Sequence, residues 1–193
     1  TRPLDIEMAN RLRPDYAGFV FAPRSRRYLP PDRAAELKAL LDPAIQAVGV
    51  FVNEKPEAVA ELLEDGIIHL AQLHGEEDEA YLTNLRHLTK KPLIQAVRVR
   101  DLSDLDRARR SSAEFLLLDA GAGSGMVFDW EVLNGFPRPY FLAGGLNPEN
   151  VAGAIRYLRP YGVDVSSGIE TGGVKDPEKM AAFVRAAREK ETI

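Results

Sequence analysis

Strand-like and helix-like segments alternate along the chain, every helix except the first follows a strand, and no linker or low-complexity stretch interrupts the series. These observations predict an α/β fold built on a parallel sheet, because parallel neighbours need a crossover and helices supply it. The count is seven strands and eight helices. Two closures fit: an open doubly wound sheet, or a (β/α)₈ TIM barrel in which the sequence lacks strand 1. Eight helices call for eight strands, and a leading helix without a strand is hard to place in an open sheet, so the barrel is the prediction. Residues 1–193 are expected to form one domain.

The first periodic segment, Leu4 to Leu12, places Leu4, Met8 and Leu12 on one helical face, with Pro3 in the first turn. Tyr16 to Phe21 is a compact apolar strand. A basic loop, PRSRRYLPP, follows, and then a helix that starts at Pro31 and groups Ala35, Leu37, Leu40 and Leu41. Ala47 to Val52 is the next strand, and Asn53 to Pro56 a turn into the helix Glu57 to Glu64. The strand Ile68 to Leu73 precedes the helix Glu79 to Leu88, and Pro92 to Val97 precedes Leu102 to Arg110. Phe115 to Leu118 is an apolar run ending on Asp119, after which GAGSG begins at Gly121. Trp130 to Leu133 makes a short helix only. Tyr140 to Ala143 is a strand, Asn147 to Leu158 a helix with Asn147 as cap and Pro148 first, and Val163 to Val165 the last strand. Asp176 to Glu189 closes the chain as an amphipathic helix.

A hydrophobic fraction of 45% suits a globular protein with a real core. No apolar run approaches the ~20 residues that span a bilayer, and no basic segment leads into an apolar one as in a signal peptide, so no membrane partner and a cytoplasmic location are expected. The chain has no cysteine, which excludes disulfides and thiolate metal sites, and His69, His74 and His87 lack metal-ligand spacing, so no metal is expected. A formal charge of −4 argues against a nucleic-acid partner, while local basic residues could still hold an anionic metabolite.

In a barrel the loops after the strands share one rim, so reactive groups are expected at the strands' carboxyl ends. Asp119 ends a buried strand at the mouth of a glycine loop, where a carboxylate could serve as acid or base or could simply form a turn before Gly. After Phe21, the cluster Arg24, Arg26 and Arg27 suits a carboxylate or phosphate, or is a solvated loop. His74, after Leu73, could donate to a substrate or close a turn. The last two strand ends work as a pair: AGGLNPEN with Gly144 and Gly145, and VSSGIE with Ser166, Ser167 and Gly168, followed by Gly172 and Gly173. Glycines let backbone N–H groups approach an oxyanion, and loops after strands seven and eight are a recurring phosphate site in this fold. A phosphate held there would bring a ligand's body to Asp119, and the GAGSG loop could fold over it.

The series GFVFAPRSRRY, VGVFVNE, QLHGEE, LLLDAGAGSG with FDW, AGGLNPEN and DVSSGIE, in this order over nearly the whole chain, resembles the phosphoribosylanthranilate isomerase family. The resemblance implies a (β/α)₈ enzyme of tryptophan biosynthesis that converts N-(5-phosphoribosyl)anthranilate to 1-(2-carboxyphenylamino)-1-deoxyribulose 5-phosphate, an Amadori rearrangement without cofactor. It implies Asp119 as general acid, Arg27 against the anthranilate carboxylate, His74 in the pocket, and Gly144, Gly145, Asp164, Ser166, Ser167 and Gly168 around the substrate and its phosphate. The partner implied is a small phosphorylated substrate, and the protein is expected as a monomer or homodimer. The family's general base is a cysteine on the first strand, in a KICG-like motif just before a Thr-Arg or Thr-Asn pair, and this chain starts at Thr1 and Arg2. The expectation is therefore that the native product carries those residues, and that without the base turnover falls by a barrier increase of about 3–5 kcal/mol. The loop after Asp119 looks shorter than in many members, with Met126 at a usually polar position.

Two other readings stand beside this one. One is a non-catalytic barrel that binds a phosphorylated metabolite. The other is a different sugar-phosphate isomerase of the same fold, for which a second catalytic Asp near the chain start is expected; Asp5 lies too far into the first helix to serve.

Overall fold

The computed structural model describes residues 1–119, 121 and 130–189. Seven parallel strands follow one another in sequence order: β1 (Tyr16–Val20), β2 (Gln46–Phe51), β3 (Leu70–Leu73), β4 (Leu93–Arg98), β5 (Phe115–Asp119), β6 (Tyr140–Ala143) and β7 (Gly162–Val163). The helices are α1 (Pro3–Leu12), α2 (Pro31–Ala39), α3 (Pro56–Glu64), α4 (Glu79–Leu88), α5 (Leu102–Arg110), α6 (Val151–Leu158) and α7 (Pro177–Arg188), with short 3₁₀ turns at Trp130–Leu133 and Ser167–Ile169. A small antiparallel hairpin, β8 (Glu170–Thr171) and β9 (Val174–Lys175), lies outside the expected alternation. Apart from Gly121, the glycine-rich loop expected after β5, with Met126 and the Phe128–Asp129 pair, lies outside the described residues.

The chain divides into two compact units, Thr1–Ala96 with Ser111–Phe115, and Val97–Arg110 with Leu116–Ile193. In the first, alternation along the strands sorts side chains by face. Phe19, Phe21, Ala47, Phe51, Ala71, Leu73 and Leu93 join Leu37, Val59, Leu63, Leu82 and Leu85 of the helices in one core, and the Phe21 and Phe51 rings stack at 5.2 Å. Val48, Leu70, Gln72 and Ile94 are buried on the opposite face. Gly49 sits where a Cβ would come within 2.5 Å of Ile68 Cδ1, which is why the strand carries no side chain there. Beyond the strand proper, Val20 turns its carbonyl to Leu29 N–H at 2.8 Å, so the chain's own return segment covers the end of β1.

Two helix faces differ from the periodicity. In α1 the buried residues are Asp5, Ile6 and Ala9, and Leu4 is exposed. In α2 they are Ala34 and Leu37, with Leu41 buried just beyond the helix and Leu40 exposed. Asn10 ties α1 to the segment that follows α2 by donating to Leu40 O and accepting from Asp42 N–H, both at 2.8 Å.

In the second unit Leu116, Leu118, Tyr140 and Leu142 face a core shared with Leu105, Ala108, Val151, Ala154 and Phe183 of the helices. Leu117, Phe141 and Ala143 are buried on the other face, the one Asp119 also takes by strand alternation.

His69, just before β3, locks the register of the first unit. Its Nδ1 accepts from Ala47 N–H at 2.8 Å while its own N–H donates to Ala47 O at 2.8 Å. Burial, helped by the positive charges of Lys38 and Lys91, lowers its pKa from the ordinary 6.5. A lowered histidine pKa means that the unfolded chain takes up the proton first as pH falls. The stabilisation is present above the ordinary value and is lost as pH drops through the lower folded value. Urea unfolding should therefore show stability rising with pH across this mildly acidic range, and His69→Gln should flatten that rise; an unchanged slope in the variant would contradict it.

Candidate functional site

Within each unit parallel pairing puts the strands' carboxyl ends on one edge, so the register decides which loop residues are neighbours. In the second unit Asp119 pairs with Ala143, and Leu142 pairs with Val163. Asp119, the Ala143–Gly144 step and Asp164 therefore stand side by side on three adjacent strand ends. Asp164 N–H donates to Leu142 O at 2.8 Å. Asp119 is half-buried, and its Oδ1 accepts from Gly121 N–H at 2.9 Å. That contact forms the turn before Gly considered in the sequence, at the carboxyl end of β5.

Gly144 and Gly145 both have positive φ, 93° and 69°, a conformation that side chains disfavour, and they reverse the chain directly after β6. The segment after them differs from expectation in where the helix starts. Asn147 stands one turn ahead of α6: its Oδ1 accepts from Glu149 and Asn150 N–H, Asn150 Oδ1 accepts from Asn147 N–H, and Asn147 O accepts from Val151 N–H at 3.1 Å, so it caps this turn as expected while the helix proper starts later. The helix begins at Val151, and the Asn150 amide reaches back to Gly145 O at 3.0 Å. Two asparagines three apart satisfy each other's backbone N–H, the reciprocal arrangement that closes a helix start.

The loop after β7 interlocks with this one. A Cβ on Gly168 would lie 1.9 Å from Leu146 O and 2.9 Å from its carbonyl carbon, so only glycine lets the two backbones touch. The two glycine loops found in the sequence are thus one packed assembly. Gly172 and Gly173 are not part of it. With φ of 59° and 84° they form the two-residue turn of the β8–β9 hairpin, the conformation such a turn requires.

In the first unit Val20, Val50 and Gln72 stand level across β1, β2 and β3, and the loops after β1 and β3 leave from that edge. The arginine loop is two successive turns, Ser25 N–H to Ala22 O and Tyr28 N–H to Ser25 O; Arg24 and Arg26 are exposed and Arg27 is half-buried. His74 donates its N–H to Phe51 O at 2.8 Å, and its Nδ1 lies 3.0 Å from the Gln72 amide nitrogen. With that amide as donor, the neutral ring carries its proton on Nε2. The following residues are clamped by Glu77, buried, which accepts from Asn53 N–H at 2.6 Å and Gly75 N–H at 2.7 Å, while the Gln95 amide donates to Glu77 O. Asp5 is held by Arg2, whose Nη2 is 2.7 Å from Oδ1. Burial alone would raise the Asp5 pKa, but these hydrogen bonds outweigh it and lower it. The carboxylate is the third residue of α1 and is spent on the start of that helix.

Arg98, at the carboxyl end of β4, escaped the sequence reading because that strand was ended at Val97. It is exposed, shares the strand face of Ala96, and its Nε lies 3.6 Å from where a Cβ on Gly121 would sit. A basic residue closing an apolar run was the available signal. Among the described residues no cluster of His, Cys, Asp and Glu could hold a metal ion, and no helix is long and apolar enough to cross a membrane.

Strand order and site together define an α/β protein of the (β/α)₈ class with an acidic strand end beside two interlocked glycine loops. The chain belongs to the N-(5'phosphoribosyl)anthranilate (PRA) isomerase family, whose sequence model matches residues 1–186. It is 46% identical over 192 residues to the N-(5'-phosphoribosyl)anthranilate isomerase of Endomicrobium trichonymphae, covering 97% of this chain and 94% of that protein. Phosphoribosyl anthranilate isomerase from Thermotoga maritima superimposes with a TM-score of 0.88 at 37% identity, covering 97% of this chain and 95% of that one. A phosphoribosyl anthranilate isomerase solved with reduced 1-(o-carboxyphenylamino)-1-deoxyribulose 5-phosphate gives a TM-score of 0.86 at 36% identity, over 97% and 94% of the two chains.

Gly168→Ala is expected to destabilise the protein by about 1–3 kcal/mol, because the clash is with backbone and the backbone must move. Gly153→Ala, in α6 with nothing within 4 Å of the new Cβ, is expected to stabilise by up to about 1 kcal/mol through helix propensity. Urea unfolding of the two variants checks the contrast, and equal effects would refute it.

Proposed function

We propose that this chain is a phosphoribosylanthranilate isomerase of tryptophan biosynthesis, acting on a small phosphorylated substrate in the cytoplasm as a monomer or homodimer. The observation that carries the reading is the contact of Gly168 with the Leu146 carbonyl, which joins two glycine loops one strand away from Asp119. Family membership over residues 1–186 supplies the reaction.

In this reading the substrate's phosphate lies against the backbone of Gly144, Gly145, Ser166, Ser167 and Gly168, with the glycines allowing close approach of N–H groups. Arg27 meets the anthranilate carboxylate with its planar fork. His74 and Asp164 line the substrate's body. Asp119, protonated, delivers its proton to the furanose ring oxygen as the bond from C1′ to that oxygen breaks, and the bond's electron pair stays on the oxygen. The anthranilate nitrogen supplies its lone pair to C1′, giving a protonated Schiff base. Loss of the C2′ proton to a base then gives an enolamine, and tautomerisation of its C2′ hydroxyl yields the ketone. The sequence contains no cysteine, so the base that the resemblance gives to a cysteine is not assigned to a residue of this chain.

The bond from Gly121 N–H to Asp119 Oδ1 makes Asp119→Asn an informative variant, because an amide oxygen accepts the same hydrogen bond and the turn is kept. In the gene product assayed for conversion of phosphoribosylanthranilate, this change should lower kcat by about 10²–10⁴-fold, the usual contribution of a general acid, with little change in KM. Full activity in the variant would remove Asp119 from the mechanism. A protein that binds inorganic phosphate and shows no turnover even with wild-type Asp119 would favour the non-catalytic reading.

A further inference from the structure

The β8–β9 hairpin has no place in the strand and helix alternation, yet it is tightly built. Glu170 and Lys175 face each other across it, and the Gly172–Gly173 turn closes it. The Lys175 ammonium lies 3.1 Å from Glu170 Oε1, and that carboxylate is almost fully buried, with 4% of its side chain exposed. From the far side Lys179 Nζ donates to Glu170 O at 2.9 Å, and Asp176 N–H donates to Ile169 O at 2.9 Å. Asp176 in turn caps α7 by accepting from Glu178 and Lys179 N–H. The hairpin is therefore clamped to the start of α7.

What the clamp delivers is a second bond: Lys175 Nζ donates to Ser166 O at 2.8 Å. Ser166 has φ −123° and ψ −80°, outside both the helical and extended regions, a conformation that surrounding structure must hold in place. A charge-assisted bond to its carbonyl does so. The peptide unit is planar and trans, so with the Ser166 carbonyl turned to Lys175 the Ser167 N–H points the opposite way. One residue later Gly168 rests on Leu146, which sets the position of the loop against its neighbour.

We propose that Lys175 is a positioning residue for the anion loop: it orients the Ser166–Ser167 peptide so that the Ser167 N–H is presented to the substrate's phosphate, and Glu170 holds Lys175 for that task. The inference rests on the phosphate assignment made above. Lys175 itself points to the carbonyl side of the peptide and makes no contact with the reacting atoms in this account.

The test compares Lys175→Met, Lys175→Arg and the double variant Glu170→Gln with Lys175→Met, which avoids leaving a buried carboxylate without its ammonium. Inorganic phosphate binding is measured by calorimetry, and kcat and KM are measured on the gene product. Lys175→Met and the double variant should bind phosphate about tenfold more weakly and raise KM by a similar factor, as for loss of one well-aimed hydrogen bond, with kcat within about twofold of wild type. Lys175→Arg should recover part of the affinity. Unchanged phosphate affinity in a folded variant, or a fall in kcat without a rise in KM, overturns the proposal. So does failure of both methionine variants to fold, which would make Lys175 a residue of the fold alone. Wild-type protein that binds neither inorganic phosphate nor substrate would instead overturn the phosphate assignment itself.

Discussion

Parallel hydrogen-bond register is the constraint on which the site depends. Because β5, β6 and β7 run the same way, their carboxyl ends fall on one edge, and a shift of one residue in either pair would turn Asp119 or its neighbours to the helix-packed face. The register of β5 on β6 puts Asp119 beside Ala143, and that of β6 on β7 brings Asp164 to the same line. On the helix side, Leu116, Leu118, Tyr140 and Leu142 are locked into the core, so slippage would expose four large side chains. Core packing thereby fixes the position of a polar group at the strand end.

The site's second requirement is close backbone approach. Gly168 against Leu146 leaves no room for any side chain, and the flanking glycines of β6 take conformations that other residues avoid. Such contacts cost conformational freedom in the unfolded chain and give nothing to the hydrophobic core. They are held by polar links at both ends, the Asn150 amide on Gly145 O and the Lys175 ammonium on Ser166 O. The loops are thus rigid by hydrogen bonding where the strands are rigid by packing.

The first unit shows the same division of labour. Leu73 and Phe51 anchor the strand ends in the core, while Glu77, Asn53 and Gln95 hold the turn that carries His74. The buried Glu77 spends both oxygens on backbone N–H groups, which removes it from solvent-facing chemistry and makes it a scaffold for the loop. His69 is likewise a backbone partner, and a histidine used this way is indistinguishable by composition from one used on a ligand.

Apolar runs such as FLLLD and YFLA were legible as strands because burial on both faces demands continuous hydrophobicity, and the order of elements followed from their alternation. Asp119, Arg27, His74 and the two glycine loops were legible as candidates because they close such runs. Other features depend on contacts between distant residues and leave no local mark. The sequence pattern put Leu4 and Leu40 in helix faces that packing leaves exposed, and joined Gly172 and Gly173 to the phosphate loop. Arg98 and Lys175 carry no such mark, since an arginine at a strand end and a lysine shortly after two glycines look like ordinary surface. Local composition thus settles which segments are strands and which residues end them, because those choices are made by each segment's own burial and backbone preference. Which helix face is buried, which loop touches which, and which lysine holds Ser166 are settled by three-dimensional packing, because each depends on the size and reach of a partner far away in the chain.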